Sequence, residues 1–458
     1  MAWTPTGYYT ASLDGDRLIG WHINQGENRI ALYYPAERLA GRFRKSRVVA
    51  YYLATGGDLD EAISLANAEL PRRLRVTRTD VEALPAIVLP MVFIAKPRFS
   101  MREMTTERPS LPMEVEARSV NEHPVTEVWV TVNDRPPGKE HVKGFRDSRH
   151  VEFATTVELE PGGNRIAVYA RNHYTESGPE LLVVTRKDPE PRPTPKPNLY
   201  LLAIGVSDYG EGGLTDLNYA DDDARAMRRV LKTQEGGLYG TVETRVLTDG
   251  EARRSDVLKG LKWLRNKSTQ HDVSVIFVAG HGMNDEYKEY YFLPGNADAE
   301  EPDIGGVKWL EFHDTVERLP GVRWLLVDTC HAGNVTGAGE RGRGLRPVDS
   351  DITDALRALK GAAGSVVIMS AATGQEASLE SGEWRHGDSE GHGAFTKALL
   401  EGLEGAILPD ATSRGGRTGI EELDLYVTNR VKELTEGRQH PMTSIPTMMS
   451  NFPVAVVD

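Results

Sequence analysis

The clearest shortage in this chain of 458 residues is cysteine, of which there is only one, Cys330. A single cysteine cannot form a disulfide within the chain, so the sequence favours a reducing compartment over an oxidising one. No apolar run approaches the roughly 20 residues that a membrane-spanning helix requires. The N-terminus also lacks a basic segment followed by an apolar core, so no secretory signal is visible. We therefore expect a cytoplasmic protein that does not cross a membrane.

Basic residues are in short supply as well. Lys and Arg number 54 against 67 Asp and Glu, which gives a net charge of −13. This acidity argues against a protein that mainly binds nucleic acid or an anionic membrane, and it is compatible with a basic partner or substrate. Hydrophobic residues make up 39% and charged residues 26% of the chain, which is enough to bury real cores. At roughly 100–200 residues per domain, the length predicts two to four domains.

Periodicity and turn signals set apart a first, mixed segment over residues 1–96. It opens with aromatic and β-branched residues broken by Asp-Gly and Gly signals, which predict short hairpins. Helices are predicted over 35–46 and 58–70. Asp58 is suited to cap the second helix, whose apolar stripe comprises Leu59, Ala62, Ile63 and Ala66.

Three further parts follow. Residues 97–188 alternate apolar and polar side chains in several short runs, which predicts an all-β, immunoglobulin-like sandwich. Residues 189–198 contain five prolines and are interpreted as a linker. Residues 199–458 alternate strands with helices, a pattern typical of a mostly parallel sheet flanked by helices. The predicted fold class is therefore multidomain, with an α/β domain at the C-terminal end.

Two apolar strands of the last part end on reactive side chains, His281-Gly282 on one and Asp328-Thr-Cys330 on the other. Sites in open parallel sheets lie at the carboxyl ends of the strands, so neighbouring strands would bring imidazole and thiol together. A thiol with an ordinary pKa of ~8.5 becomes a good nucleophile beside histidine. Gly282 has no Cβ and would let a substrate carbonyl approach the backbone. The N–H groups of Gly282 and Cys330 are then candidate oxyanion donors.

Simpler interpretations of these residues exist. A lone cysteine such as Cys330 is often just a small buried hydrophobe. His281 could be a histidine that caps the end of a strand and has no catalytic role. Neither interpretation explains why both residue types follow apolar strands.

The two strand ends resemble those of the caspase-like cysteine peptidases, especially metacaspases and their bacterial relatives. The resemblance covers about residues 198–458 and implies their fold, with Cys330 as nucleophile and His281 as catalytic histidine. The first ~25 residues resemble a segment found upstream of caspase-like domains in some bacterial WD-repeat proteins. Supporting fragments stand in family order: Leu201 to Val206, Leu217 to Arg225, Gly391 to Thr396 and Leu399 to Leu403.

The resemblance also bears on the bond that is cut. Asp328 lies two residues before Cys330, so both share one face of the strand, and a buried carboxylate attracts a guanidinium. In metacaspases the matching Asp and a second one form the pocket for Arg or Lys, and here the matches are Asp328 and Asp223. Cleavage after Arg, with Lys second, is therefore predicted. Asp223 could instead interact only with its own helix dipole.

A Gly-rich, basic loop follows the nucleophile and is either an ordinary solvated loop or an activation site. Cleavage in 338–346, after Arg341 or Arg343, by the protein itself or by an upstream protease, would mature the enzyme. Many metacaspases need calcium, but Gly337 stands where a ligand Asp would be expected. An acidic loop could hold a hard cation, although an exposed loop is the simpler interpretation; it contains Asp298, Glu300, Glu301 and Asp303. We predict no cofactor, and calcium stays an open alternative that we do not claim.

The favoured function is a cysteine endopeptidase acting on proteins or peptides with a basic residue before the scissile bond. The alternatives are an inactive caspase-like scaffold and a caspase specific for Asp, although the arginines of an Asp-accepting pocket have no match in this sequence. The resemblance to bacterial relatives further implies a role in defence against phage or in regulated cell death.

Overall fold

The structure is a computed structural model, and the chain divides into two compact units, residues 1–194 and 195–458. The division falls inside the proline-rich segment 189–198. The residues that the structure describes are 1–11, 15–23, 32–68, 75–78, 90–98, 102–119, 123–133, 139–172, 175–187, 196–210, 213–285, 289–331, 356, 366–372, 376, 378–407, 416–445 and 452–456.

The first unit begins with short strands and helices. The strands are β1 (Ala2–Trp3), β2 (Tyr9–Thr10), β3 (Gly20–Ile23) and β4 (Leu32–Pro35), and the helices are the 3₁₀ turns Gly15–Leu18 and Ala36–Leu39 followed by α1 (Ala40–Phe43), α2 (Ser46–Ala54) and α3 (Leu59–Ala68).

The helix expected over 58–70 is present as α3, and its four predicted stripe residues are buried. Asp58 caps it, because its Oδ1 accepts the N–H of Glu61 at 2.9 Å. The helix expected over 35–46 was wrong in extent, since a 3₁₀ turn and the short α1 occupy that stretch. The longer α2 follows it, and its buried Val48 and Val49 pack in one cluster with residues of α3. Tertiary packing therefore supports a helix in a β-branched, aromatic sequence that does not favour one.

The rest of the first unit is all β, as predicted. Its strands are β5 (Met91–Lys96), β6 (Glu103–Thr106), β7 (Ser110–Arg118), β8 (Val125–Val132), β9 (Val142–Ser148), β10 (His150–Glu158), β11 (Gly162–Arg171) and β12 (Glu180–Arg186), with a 3₁₀ turn at Lys139–His141.

These strands form two sheets, in the orders β10–β7–β5 and β6–β12–β11–β8–β9, and all neighbours are antiparallel except β6 and β12. Alternate residues from both sheets, such as Val115 and Val128, point into one shared apolar core. Because β5 pairs with β7, this region begins before the boundary expected at residue 97. Its immunoglobulin-like identity stays a prediction.

The second unit alternates strands and helices. Its elements are β13 (Leu199–Gly205), α4 (Ala220–Lys232), β14 (Val242–Thr248), a 3₁₀ turn (Asp249–Glu251), α5 (Arg254–Lys267), β15 (Val273–Asn284), β16 (Tyr290–Phe292), α6 (Pro302–Gly305), β17 (Val307–Lys308), α7 (Trp309–Arg318), β18 (Val322–His331), β19 (Val366–Ser370), β20 (Glu380–Ser381), β21 (His392–Gly393), α8 (Ala394–Leu403), β22 (Arg417–Gly419), α9 (Ile420–Leu434), β23 (Met442–Ser444) and β24 (Pro453–Val456).

The central sheet has the order β14–β13–β15–β18–β19–β23, and its strands are parallel except for β23 at one edge. Residues of one face, including Leu201, Phe277 and Leu326, form a core with α4, α8 and α9. On the opposite face Leu202 of β13 packs close to Gly260 of α5. The strands in the middle of the sheet are covered on both sides, which explains their continuous apolar runs.

Sequence periodicity predicted this alternation of strands and helices. The small strands β16 and β17 and the helix α7 were not predicted, because short elements give little periodic signal. No helix in the described part of the chain is long and apolar enough to span a membrane.

Candidate active site

The two predicted catalytic residues lie on neighbouring strands. β15 and β18 are parallel partners, and their register pairs the Cα of His281 with that of Cys330 and the Cα of Gly282 with that of His331. Both strands therefore deliver these residues to the carboxyl edge of the sheet, where strand-end reasoning expected them. The structure describes the backbone of Cys330 but not its side chain, so their adjacency is a statement about the strands.

The imidazole of His281 is buried and held by a backbone carbonyl. Its Nε2 lies 2.7 Å from the carbonyl oxygen of Thr215, which can only accept, so Nε2 carries the proton. In the neutral ring Nδ1 is then the atom with the free lone pair. Nδ1 has no hydrogen-bond partner among the described atoms. Burial lowers the pKa of His281, which favours this neutral form.

The loop after β13 forms a cradle around His281. Besides the Thr215 carbonyl, it supplies Tyr209, whose hydroxyl accepts the backbone N–H of His281 at 2.6 Å and whose ring centroid lies 4.7 Å from the imidazole. Gly280 is needed beneath this contact, since its φ is +144° and a Cβ there would come 2.8 Å from the tyrosine hydroxyl. Sequence reasoning missed Tyr209, because a tyrosine after a strand carries no distinctive signal.

Gly282 has a structural reason that sequence reasoning did not find. A Cβ at this position would overlap the hydroxyl of Tyr290, which itself bonds Thr329 Oγ1 at 2.9 Å. The missing side chain therefore makes room for a packed phenol of β16, and the expected approach of a substrate carbonyl stays a prediction. The proposed oxyanion role of the Gly282 and Cys330 N–H groups stays a prediction.

Asp328 is buried on β18, two residues before Cys330. Its Oδ1 accepts the hydroxyl of Ser378 at 2.5 Å, and its Oδ2 accepts the hydroxyl of Thr396 at 2.9 Å. Burial raises the pKa of Asp328, and these two hydrogen bonds oppose the shift. The carboxyl is thus held by neutral groups.

Asp223 lies in the first turn of α4 and is also buried. Its carboxyl bonds another segment of the chain: Oδ1 lies 2.5 Å from Nδ1 of His392, and Oδ2 accepts the N–H of Gly393 at 3.2 Å. Burial raises the pKa of Asp223 well above the ordinary value, and the charge of Asp328 raises it further. The helix dipole alone therefore does not account for this residue.

The two carboxyls converge on one point. A Cβ at Gly393 would lie 2.9 Å from Oδ2 of Asp328 and 3.0 Å from Oδ2 of Asp223, so glycine leaves the space between them open. This space belongs to a small, open cleft with a cavity volume of about 20 Å³. Among the described residues, those that line the cleft include no Lys or Arg: they are Leu217, Ala220, Asp223, Ala279, Gly280, Asp328, Ser378, Leu379, Glu380 and Gly393.

Glu380 is a third carboxylate in this cleft that sequence reasoning missed. Its Oε1 accepts the N–H and the side-chain amide of Asn218, and its Oε2 accepts the N–H of Tyr219 at 3.2 Å. It thereby ties β20 to the residues before α4. Its charge contributes to the raised pKa values of Asp223 and Asp328.

Other predicted features lie elsewhere. The processing residues Arg341 and Arg343, and Gly337, lie outside the described residues. Within the described part of the chain, the clusters with three potential metal ligands are Glu116–His150–Glu152 and His313–Asp314–Glu317. Neither includes a residue of the acidic loop 298–303.

A largely parallel sheet whose neighbouring strands end on histidine and cysteine is a cysteine-peptidase type of fold. A family model described as Caspase domain matches residues 200–453, more than half of the chain. The chain therefore belongs to the caspase domain family. Members of this family are generally cysteine peptidases that act on protein substrates.

Solved structures also align with this chain. A protein from Geobacter sulfurreducens does so at 16% identity over 57% of this chain and 100% of that chain, with a TM-score of 0.38. A structure described as pro-sf-caspase-1 aligns at 12% identity over 55% of this chain and 92% of that chain, with a TM-score of 0.34.

Fibronectin(III)-like modules of Clostridium thermocellum CbhA align at 19% identity over 22% of this chain and 48% of that chain, with a TM-score of 0.17. These TM-scores are low, so the family membership rests on the family model. No curated protein matches the sequence.

Proposed function

We propose that this protein is a cysteine endopeptidase that cleaves proteins after Arg, with Lys second. Cys330 is the nucleophile, His281 transfers the proton, and Asp328 and Asp223 bind the basic side chain of the substrate. The observation that carries the proposal is the acid cleft at the carboxyl edge of the sheet. It holds two buried carboxyls that converge on one point, beside the strands that bear His281 and Cys330.

The charge balance of this cleft favours a cationic ligand. Every hydrogen bond described for Asp328 and Asp223 comes from a hydroxyl, a backbone amide or an imidazole. Buried carboxylates normally have a cation as partner, because desolvation otherwise disfavours the charge. An arginine side chain supplies that cation, and its planar donors can reach both Oδ2 atoms at once. Lysine offers a point charge without this fork, which places it second.

The chemical step follows from the tautomer of His281. Nδ1 accepts the proton of the Cys330 thiol, and the resulting thiolate attacks the scissile carbonyl carbon. The C–S bond forms as the carbonyl π electrons move to oxygen, where the N–H groups of Gly282 and Cys330 stabilise the negative charge. Collapse breaks the C–N bond, and His281 gives its proton to the leaving amine. Water then hydrolyses the thioester with His281 as base.

The Thr215 carbonyl takes the place of a third catalytic side chain. It fixes the ring through Nε2–H and stabilises the imidazolium that forms when Nδ1 is protonated. The carbonyl dipole does this without an additional charge beside the thiol.

Regulation is proposed from the sequence. Cleavage within 338–346, after Arg341 or Arg343, activates the enzyme through its own activity or an upstream protease. A cytoplasmic role in defence or regulated cell death fits the bacterial relatives that the sequence resembles. Mass spectrometry of the protein's own fragments identifies the cleaved bonds.

The test uses peptides that carry a reporter amine after Arg, Lys or Asp. We expect release after Arg, slower release after Lys, none after Asp, and none at all with Cys330→Ala. Release after Asp alone would show that the pocket assignment is wrong. A protein that cleaves nothing, even with calcium and after limited proteolysis, would instead be an inactive scaffold.

A further inference from the structure

We propose that His392 and Ser389 are positioning residues for substrate recognition, which orient the Asp223 carboxylate for a guanidinium without neutralising it. This inference rests on the proposed function, because it concerns the same cleft. Neither residue was singled out by strand-end reasoning, since both belong to a segment distant in sequence from α4.

A continuous hydrogen-bonded line joins the cleft to the protein surface. Nδ1 of the fully buried His392 lies 2.5 Å from Asp223 Oδ1, and its Nε2 lies 2.5 Å from Oγ of the partly exposed Ser389. Both ring nitrogens therefore have partners, which fixes the ring plane. Because the ring is pinned at both ends, it also fixes the rotation of the carboxyl that it contacts.

The charge of His392 determines what it does to the neighbouring Asp223 carboxyl. Burial is the main cause that lowers the pKa of His392 to about 4, with a smaller contribution from the charges of Arg229 and Lys397, so the ring is neutral near pH 7. A lysine or arginine in its place would form an ion pair and cancel the charge of Asp223. A neutral N–H donor holds the carboxyl in place and adds no positive charge that would compete with the cation of the substrate.

The geometry also selects which oxygen meets the ligand. His392 occupies Oδ1 of Asp223, and the next residue, Gly393, donates its N–H to Oδ2 and leaves open the space that Oδ2 shares with Asp328. The two residues of β21 thus perform complementary tasks on one carboxyl. The first orients it, and the second makes room beside it.

The order Ser389–His392–Asp223 has the hydrogen-bond pattern of a hydrolase triad, but its surroundings argue against that function. The imidazole is completely enclosed, with both nitrogens engaged, and Asp223 already faces the cleft beside Asp328. A general base must reach its substrate, and this one is enclosed by protein. Positioning is therefore the function that fits.

The experiment compares His392→Asn and Ser389→Ala in the full chain with His386→Asn as matched control. His386 is on the same loop, with its ring 6.3 Å from that of His392, and it pairs with Glu404 instead of Asp223. We expect His392→Asn to raise the KM for Arg peptides about tenfold, the worth of one hydrogen bond to a charged group. Ser389→Ala raises it about threefold. In both variants kcat changes little and the Arg-over-Lys preference falls, whereas the control changes neither.

A second readout is independent of catalysis. Butylguanidine is titrated by calorimetry into the Cys330→Ala protein with and without His392→Asn, and weaker binding in the double variant is expected. If no peptide is cleaved but this loss of binding occurs, the proposed function fails and the inference stands.

Several results would overturn the inference. One is an unchanged KM in folded His392→Asn, and another is an equal rise in the His386→Asn control. If His392→Asn does not fold, an unchanged KM in Ser389→Ala has the same force. Butylguanidine binding that does not depend on His392 contradicts it as well. Absence of any butylguanidine binding removes both the inference and the proposed pocket.

Discussion

The β-sandwich and the caspase domain treat charged side chains in opposite ways. Among the described residues of the sandwich no Asp, Glu, Lys or Arg is buried, and its ion pairs, such as Lys96–Glu114, lie on exposed faces. In the caspase domain Asp223 and Asp328 are buried close together, with only neutral donors. Exposed pairs contribute little to stability, while buried carboxyls without a cation reduce it. The acid cleft therefore carries a cost in stability that the sandwich avoids, and the proposed function explains this cost by the binding of a cationic ligand.

The largest expected effect is that of Asp328→Asn. Loss of a buried charge that pairs with the substrate lowers kcat/KM on Arg peptides at least about a hundredfold. The same change raises the melting temperature, because burial raises the pKa of Asp328 and so disfavours its charged form in the fold. The side-chain amide of asparagine can still accept a hydrogen bond from one of the two hydroxyls and donate a hydrogen bond to the other. Peptide kinetics and calorimetry measure the two effects.

The matched control lies in the sandwich. Glu114→Gln removes the carboxylate of an exposed pair, and we expect the melting temperature and the KM to remain as they are. If the melting temperature of Asp328→Asn does not rise above that of Glu114→Gln, the contrast between the two regions is contradicted.

The second expectation concerns pH. The pKa values of Asp223 and Asp328 are raised, so the two carboxyls of the free cleft lose their protons at a higher pH than ordinary carboxyls, and a guanidinium binds best once they are charged. The KM for Arg peptides should therefore fall as the pH rises through these pKa values. A KM that does not change with pH would contradict this expectation. A pH dependence that is the same in Asp223→Asn would contradict it as well.

Stability should change with pH in the opposite sense to substrate affinity. The unfolded carboxyls have a pKa of about 4, and the folded ones lie above it, so the folded state binds more protons in between. The free energy of unfolding therefore decreases as the pH rises from about 4 through the folded pKa values. Denaturant titrations at several pH values measure this slope, and Asp328→Asn should flatten it.

The smallest expected effect is that of Tyr209→Phe. The ring beside His281 remains, but the hydroxyl that accepts the His281 N–H is lost, and kcat/KM falls about threefold to tenfold. The dependence of the Cys330 alkylation rate on pH should also change, because the imidazole of His281 shifts its position. The control is Tyr200→Phe, because Tyr200 lies on β13 and its ring packs edge-on against Trp263. Equal effects of both substitutions would contradict a specific role for the hydroxyl.

The sequence predicted those parts that depend on local pattern. Apolar runs located β15 and β18, and the ends of these runs predicted that His281 and Cys330 lie at the carboxyl edge of the sheet. That the two strands are neighbours was an assumption, which the structure confirms. Period-two and period-3.6 patterns are properties of consecutive residues, so they can be read without knowing the fold. The same reasoning failed for α2, where packing decides the helix.

Contacts between distant segments were beyond such reasoning. Asp223 and His392 are separated by 169 positions, and Glu380 reaches Asn218 across 162. Neither pair leaves a local pattern. Gly282 shows the same limit, because its contact with the phenol of Tyr290 on β16 could not be predicted from the sequence. Positions with chemistry were therefore predictable, while their supporting partners required the fold.

The shared ladder of β15 and β18 separates backbone geometry from the choice of side chains. The spacing of the His281 and Cys330 backbones is fixed by hydrogen bonds between the two strands, which side-chain substitutions preserve. The acid cleft also draws on α4, β20 and β21, which contribute Asp223, Glu380 and Gly393. Substitutions at these three positions can therefore remodel the cleft while the two strand ends stay in register.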